Sequence, residues 1–212
     1  MPRPTRQQID DEIVEQASAL FARHGFKDTS LQSVADAAGY SKTGLLHRFP
    51  SKEALWAAVV ERCVRLCRQV ADSVADLPVG PERDRAVLTG LVDLTFGHPG
   101  AASLVLSVVS ATDRVDLREI GDTILGAFGG DARLERARER ATERAAERTT
   151  ERHVRVLGAL GAVAVAGIAL RDSGATHDDV REHLVAAAFD TLGHAPHPQI
   201  PAARRAPAPV KD

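Results

Sequence analysis

The sequence predicts an all-α protein in which a small N-terminal helix-turn-helix head joins a larger helical domain. Three observations carry this expectation. Apolar residues recur at three- and four-residue steps through most of the chain. The breaks between these stretches fall at glycine, proline and helix-capping residues. No alternating apolar and polar run of useful strand length occurs.

Composition narrows the class further. The 212 residues are 44% hydrophobic and 26% charged, the balance of a soluble globular chain rather than a disordered one. That length suits one large domain or a small one joined to a larger one. A formal charge of −2 offers no global attraction to nucleic acid, so a basic surface has to be local. The N-terminus is polar and lacks the apolar core of a secretory signal. The longest uncharged apolar stretch, residues 156–170, reads as too short and too rich in glycine and alanine for a membrane span. Cys63 and Cys67 cannot build a disulfide framework and suit a reducing compartment, so a cytoplasmic location is expected.

The elements follow in order. Ile9, Ile13, Ala17, Leu20 and Phe21 form one stripe on a first helix, which Gly25 ends. Thr29 or Ser30 caps a short second helix carrying Leu31, Val34, Ala35 and Ala38. Gly39 breaks it, and Ser41 caps a third holding Leu45, Leu46 and Phe49. Ser51 caps a fourth, whose Leu55, Val59, Cys63, Leu66 and Val70 run on for several turns to a boundary at residues 77–81. Helical patterns continue over 85–96, 101–111 and 117–128. Residues 135–152 repeat Glu-Arg every four positions, which pairs neighbouring charges one turn apart and predicts a largely solvated helix. Residues 156–170 are apolar on every face and have to be covered all round, whereas 178–192 are amphipathic. These last two helices, about 153–171 and 178–193, could pair with the same two of a second subunit or serve as internal core. The tail, with five prolines after His194, is expected to be disordered. The expected domains are 1–56, 57–194 (with the helix from 51 bridging both) and the tail at 195–212.

Function concentrates in residues 29–49, TSLQSVADAAGYSKTGLLHRF. Ala35 is small where a second helix crosses above it, and Gly39 suits the positive φ of a tight turn. Leu31, Val34, Ala38 and Leu45 fill the wedge between the helices. Residues 1–56 hold seven basic and seven acidic side chains, yet Lys42, Arg48 and Lys52 lie between Asp36 and Glu53 with no acid among them. His47 joins this local positive strip, which suits phosphate.

Residues 9–60 resemble the DNA-binding domain of the tetracycline-repressor (TetR) family. The matching stretches are ALFARHGF (19–26), DTSLQSVADAAGYSK (28–42) and LLHRFPSKEAL (45–55). The resemblance implies a recognition helix that begins at Ser41, Lys42, Thr43 and Gly44 and enters the major groove. Thr29, Lys42, His47 and Lys52 match sugar-phosphate contacts of the family, and Gln32, Ser33, Tyr40, Thr43 and Gly44 match base-edge contacts. Two departures stand out. Leu46 replaces a frequent phosphate-binding tyrosine and Tyr40 a common valine, and Arg48 is expected to supply part of the missing phosphate contact.

The resemblance further implies a homodimer on double-stranded DNA at a near-palindromic operator. An unidentified small-molecule effector would release it by favouring a different spacing of the two heads. The effector cavity would sit among Val64, Leu88, Leu91, Phe96, Leu104, Val108, Ile124 and Phe128, residues that equally suit plain core. No membrane association is expected.

An enzyme is not expected, because no glycine-rich phosphate loop, nucleophile elbow or paired-carboxylate motif is present. No cofactor is implied. His98, His153, His177 and His183 lack metal-ligand spacing. Cys63 and Cys67 share a helix face, which suits an oxidant sensor, a metal site or, the commoner role for buried cysteine, simple core.

Overall fold

In the computed structural model, residues 5–110, 117–129, 143–174 and 176–194 are described, those at 107–110, 143–149 and 172 by their backbone alone. The described residues form helices and connecting turns, in the all-α arrangement the periodicity predicts. They are α1 (Arg6–Asp28), α2 (Leu31–Ala37), α3 (Lys42–Arg48), α4 (Lys52–Ser73), α5 (Pro81–Gly97), α6 (Pro99–Ser110), α7 (Arg118–Ala127), α8 (Glu143–Asp172) and α9 (His177–Thr191). Val108 has no described side chain, and the first part of the Glu-Arg repeat and the proline-rich tail lie outside the described residues.

Local chemistry sets the helix ends. Thr5 opens α1 with a reciprocal cap, its Oγ1 accepting from Gln8 N at 3.2 Å while Gln8 Oε1 accepts from Thr5 N at 2.7 Å. Gly25, at φ +78, interrupts the helical geometry before a last turn at 26–28. Thr176 caps α9 in the same reciprocal way with Asp179.

One helix differs from its expected form. The charged repeat and the apolar stretch are continuous in α8, a single helix of 30 residues. No glycine or proline lies between Glu143 and Leu157, so the change from charged to apolar alters the surroundings of the helix but not its backbone. The expectation that the apolar stretch is too short for a membrane also needs revision. Residues 150–171 form a helix long and apolar enough to cross one, with a mean hydropathy of 1.8. This helix packs against α9, α5 and α6, and at Gly167 it approaches α5 so closely that a Cβ would stand 2.8 Å from Thr95 Cγ2.

Two ion-pair groups bind the larger domain together. Asp84, in the first turn of α5, is 1% exposed; its carboxylate accepts from Arg152 Nη2 at 2.7 and 2.8 Å and pairs with His194 Nε2 at 2.6 Å. Asp93, farther along α5, accepts from Arg181 at 2.6 and 3.0 Å and pairs with His177 at 2.8 Å. The Arg181 fork, with His177 beside it, holds the Asp93 carboxyl below its usual range.

Cys63 and Cys67 are buried on α4, and burial pushes both thiols up to about 12. At pH 8 the thiolate fraction is then about one part in ten thousand. This favours the core role over the redox role. The folded protein should react with an aromatic disulfide reagent at pH 8 only as fast as it opens, and rapid labelling of the native state would contradict that assignment.

Candidate nucleic-acid interface

The corner between α2 and α3 is built from short-range hydrogen bonds. Ser30 caps α2 by accepting from Ser33 N at 3.0 Å, and Ser33 Oγ in turn accepts from Ser30 N at 3.2 Å. At the other end Gly39 adopts φ +73, its N–H donates to Asp36 O at 3.2 Å, and Tyr40 N–H donates back to Ala35 O at 2.8 Å. This pair of bonds closes a left-handed helix cap, which requires glycine because a side chain would strain the positive φ. Ser41 then caps α3 by accepting from Gly44 N at 3.1 Å. Beneath the corner, Val34, Ala35, Ala38 and Leu45 are all buried, so the two short helices are wedged on a common apolar floor.

The outer surface of this corner exposes Ser41, Lys42, Thr43 and His47 from α3, and Gln32 from α2. Tyr40 and Gly44 are half-buried beside them, and a Cβ on Gly44 would lie 3.2 Å from its own cap, Ser41 Oγ. Gln32 Nε2 is held by Asp36 Oδ1 at 2.7 Å, and Ser33 by its cap to Ser30. Lys42 thus leaves a positive charge on the outer face of α3, beside the exposed His47, with no carboxylate from residues 37–52 to offset it. Glu53, the first acid after this run, is held below its usual range by its own backbone amide and the Ser51 hydroxyl.

Three expected contacts have a different or additional role. Thr29 is 3% exposed, and its hydroxyl donates to Gly25 O at 2.8 Å, tying the α1–α2 connection down rather than facing outward. Arg48, expected to reach phosphate, turns inward instead. Its guanidinium pairs with Asp10 and donates to Arg6 O at 3.1 Å, fastening α3 to the first turn of α1. An acid outside the recognition segment claimed this arginine, and the acid-free run at 37–52 gave no sign of it. Lys52 donates to Lys27 O at 2.9 Å, with its ammonium 4.6 Å from the centre of the Phe26 ring. It therefore clamps the start of α4 to the end of α1. Phe26 belongs to an aromatic trio with Phe21 and Trp56, with ring centres 5.2 to 5.8 Å apart, that supports this clamp.

The expected effector residues scatter. Leu91 and Ile124 line a cavity of about 40 Å³ in the larger domain, together with Thr95, Ala102, Val105 and Leu160. Val64, Leu88, Leu104 and Phe128 are buried in the general core, and Phe96 packs edge-on against His177 at 5.5 Å. The cavity has room for about one water, far below the roughly 300–1,000 Å³ of a small-molecule site. Among the described residues no group of three His, Cys, Asp or Glu side chains is placed to hold a metal ion.

Comparison with known proteins agrees with this geometry. The family model described as bacterial regulatory proteins, tetR family, matches residues 13–59. The chain is 48% identical over 50 residues to the HTH-type transcriptional regulator RutR of Escherichia coli strain K12, a match covering 24% of each protein. The similarity to this curated relative therefore spans about a quarter of its length. A TetR-family regulator from Bordetella parapertussis superposes with a TM-score of 0.60 at 20% identity, covering 87% of this chain and 95% of that one. A TetR-like regulator from Rhodococcus sp. RHA1 does so with a TM-score of 0.54 at 19% identity, covering 91% and 100%. These two structures show that the fold extends beyond the head. Residues 13–59 thus carry the sequence match to the tetR family of bacterial regulatory proteins, and the helices beyond them share the fold of these two solved structures.

Proposed function

We propose that the chain is a sequence-specific, double-stranded-DNA-binding transcriptional regulator of the cytoplasm, acting as a homodimer on a near-palindromic operator. The carrying observation is the outward face of α3: Ser41, Lys42, Thr43 and His47 are exposed on a short helix whose inner side is anchored by the buried Leu45. Such a helix projects side chains to base edges while its flanking cations meet phosphate. Regulation, rather than an enzymatic reaction, is the function that fits this surface.

The dimer reading rests on α8. Only 28% of its apolar stretch is buried within one chain. Val154 and Val165 are 62% and 61% exposed, and with Gly158, Gly161 and Ala169 they form one stripe along the helix. Nothing lies within 4 Å of a Cβ placed at Gly161, so a second backbone can approach there. Covering that stripe with the α8 and α9 of a second subunit removes apolar surface from water and sets the two heads at a fixed spacing. A small apolar effector would open the cavity among α5, α6, α7 and α8 and favour another spacing, releasing the operator. Repression is the direct outcome of that scheme.

The test is selection of duplexes from a random pool, followed by titration of Lys42→Ala. Because Lys42 is exposed and each lost phosphate contact lowers the salt dependence, the slope of log affinity against log salt should fall by about 0.9, with unchanged thermal stability. Failure to select any sequence would instead favour a helical partner-binding module without DNA readout.

A further inference from the structure

Arg62 stands on α4 where α1 and the first turn of α6 converge, and it is 8% exposed. Its Nη1 donates to Asp11 Oδ1 at 2.6 Å and its Nη2 to His98 Nδ1 at 3.2 Å. Glu15, on α1, faces the same guanidinium, yet its Oε2 is 3.6 Å from Nη2. Its other oxygen, Oε1, accepts the backbone N–H of Gly100 in α6. Within this cluster Glu15 Oε2 and Arg62 Nε are buried without a hydrogen-bond partner among the described residues. A purely structural pair of these groups would close as a two-pronged fork, the strongest geometry open to them. A native cluster that leaves both halves of that fork unmade needs an explanation.

The neighbouring backbone supplies one. At Gly100, α6 presses so tightly on α1 that a Cβ would stand 2.2 Å from Glu15 O and 3.1 Å from Ala19 N. Just beyond it, Ala102, Val105 and Leu106 of α6 line the small cavity. Anything that swells this cavity pushes α6, and α6 holds Glu15. At the start of α1, Asp10 holds Arg48 at the end of the recognition helix. Gly100, Glu15, the rigid α1, Asp10 and Arg48 thus form one mechanical series from the cavity wall to α3.

We propose that Glu15 is a two-position latch between the reading head and α6. In the arrangement seen here, one carboxylate oxygen holds the Gly100 amide. In the other, reached when α6 slides off α1, both oxygens close on Nε and Nη2 of Arg62. The second seat compensates the loss of the first, which brings the two arrangements close in energy, as a discrete switching element requires. This inference rests on the proposed DNA-binding function and names the positioning residue through which the cavity would act on it.

Glu15→Gln and Gly100→Ala in the full chain test the latch. Glu15→Gln keeps an acceptor for the Gly100 amide and loses the attraction of Arg62, so α6 stays seated. Gly100→Ala drives α6 off by contact with the Glu15 carbonyl and sends the carboxylate to Arg62. On a duplex selected by the wild-type chain, the two variants should shift affinity in opposite directions, each by about five-fold or more. Hydrogen exchange at the amide of residue 100 should slow in Glu15→Gln and quicken in Gly100→Ala, with or without DNA. Arg62→Gln should follow Glu15→Gln, so the exchange readout stands even if Gly100→Ala does not fold. Affinity changes of the same sign in both variants, or exchange unaltered in Glu15→Gln, would overturn the latch. If no duplex is selected while exchange shifts as stated, the DNA-binding function fails and the latch remains as a coupling between head and α6.

Discussion

Replacing Leu45 with alanine should lower the unfolding free energy by about 2–5 kcal/mol, the range for emptying a fully buried leucine site. Leu45 is completely buried and is the inward residue of α3, packed on the floor made by Val34, Ala35 and Ala38. A helix of seven residues has no independent stability in water, so its position depends on that anchor and on its Ser41 cap. The loss should therefore appear twice, as a lower denaturant midpoint and as weaker binding to a selected duplex. Leu45→Met, close in volume, should cost less than about 1.5 kcal/mol and keep most of the affinity. A change below about 1 kcal/mol for Leu45→Ala would mean the space closes without the leucine, contrary to a fixed wedge.

Asp84→Ala should destabilise the larger domain by about 3 kcal/mol, the low end for breaking a buried ion pair by removing one partner. The carboxylate ties α5 to α8 through Arg152 and to the segment just after α9 through His194. The low end is appropriate because the Arg152 side chain keeps 32% exposure and can turn toward water. Replacing both members, as Asp84→Leu with Arg152→Met, should recover part of the loss, since apolar groups of similar volume need no partner. Equilibrium denaturation of the three proteins decides the matter. A single variant within about 1 kcal/mol of the wild type would show that the pair contributes no more than a surface bridge.

Much of the reading head was legible because its signals are local. A glycine at positive φ, serines preceding each helix and apolar residues at helical spacing act within a few residues of themselves. Gly39, Ser30, Ser41 and Ser51 accordingly stand at the ends expected for them, and Gly25 interrupts α1 one turn before its end. Arg48 was not legible, since its partner Asp10 belongs to another helix and only the packing of α1 against α3 brings them together. Thr29 shows the same limit: the family resemblance implies a sugar-phosphate contact there, and only the fold shows that its hydroxyl holds Gly25 O. Apolar residues of the larger domain gave no means of separating core from cavity wall, because burial and cavity lining demand the same chemistry. Leu91 and Leu88 differ only in which side of α5 meets the small void.

By itself, then, the sequence determined the helices, their caps and the outward presentation of Ser41, Lys42 and Thr43, because backbone conformation answers to near neighbours. Tertiary structure alone decided where the charges go: Arg48 to Asp10, Arg62 among Asp11, Glu15 and His98, and Asp84 to Arg152 and His194. A long charged side chain is settled by whichever opposite charge or backbone group another helix brings within reach, and that is a property of packing rather than of neighbours along the chain.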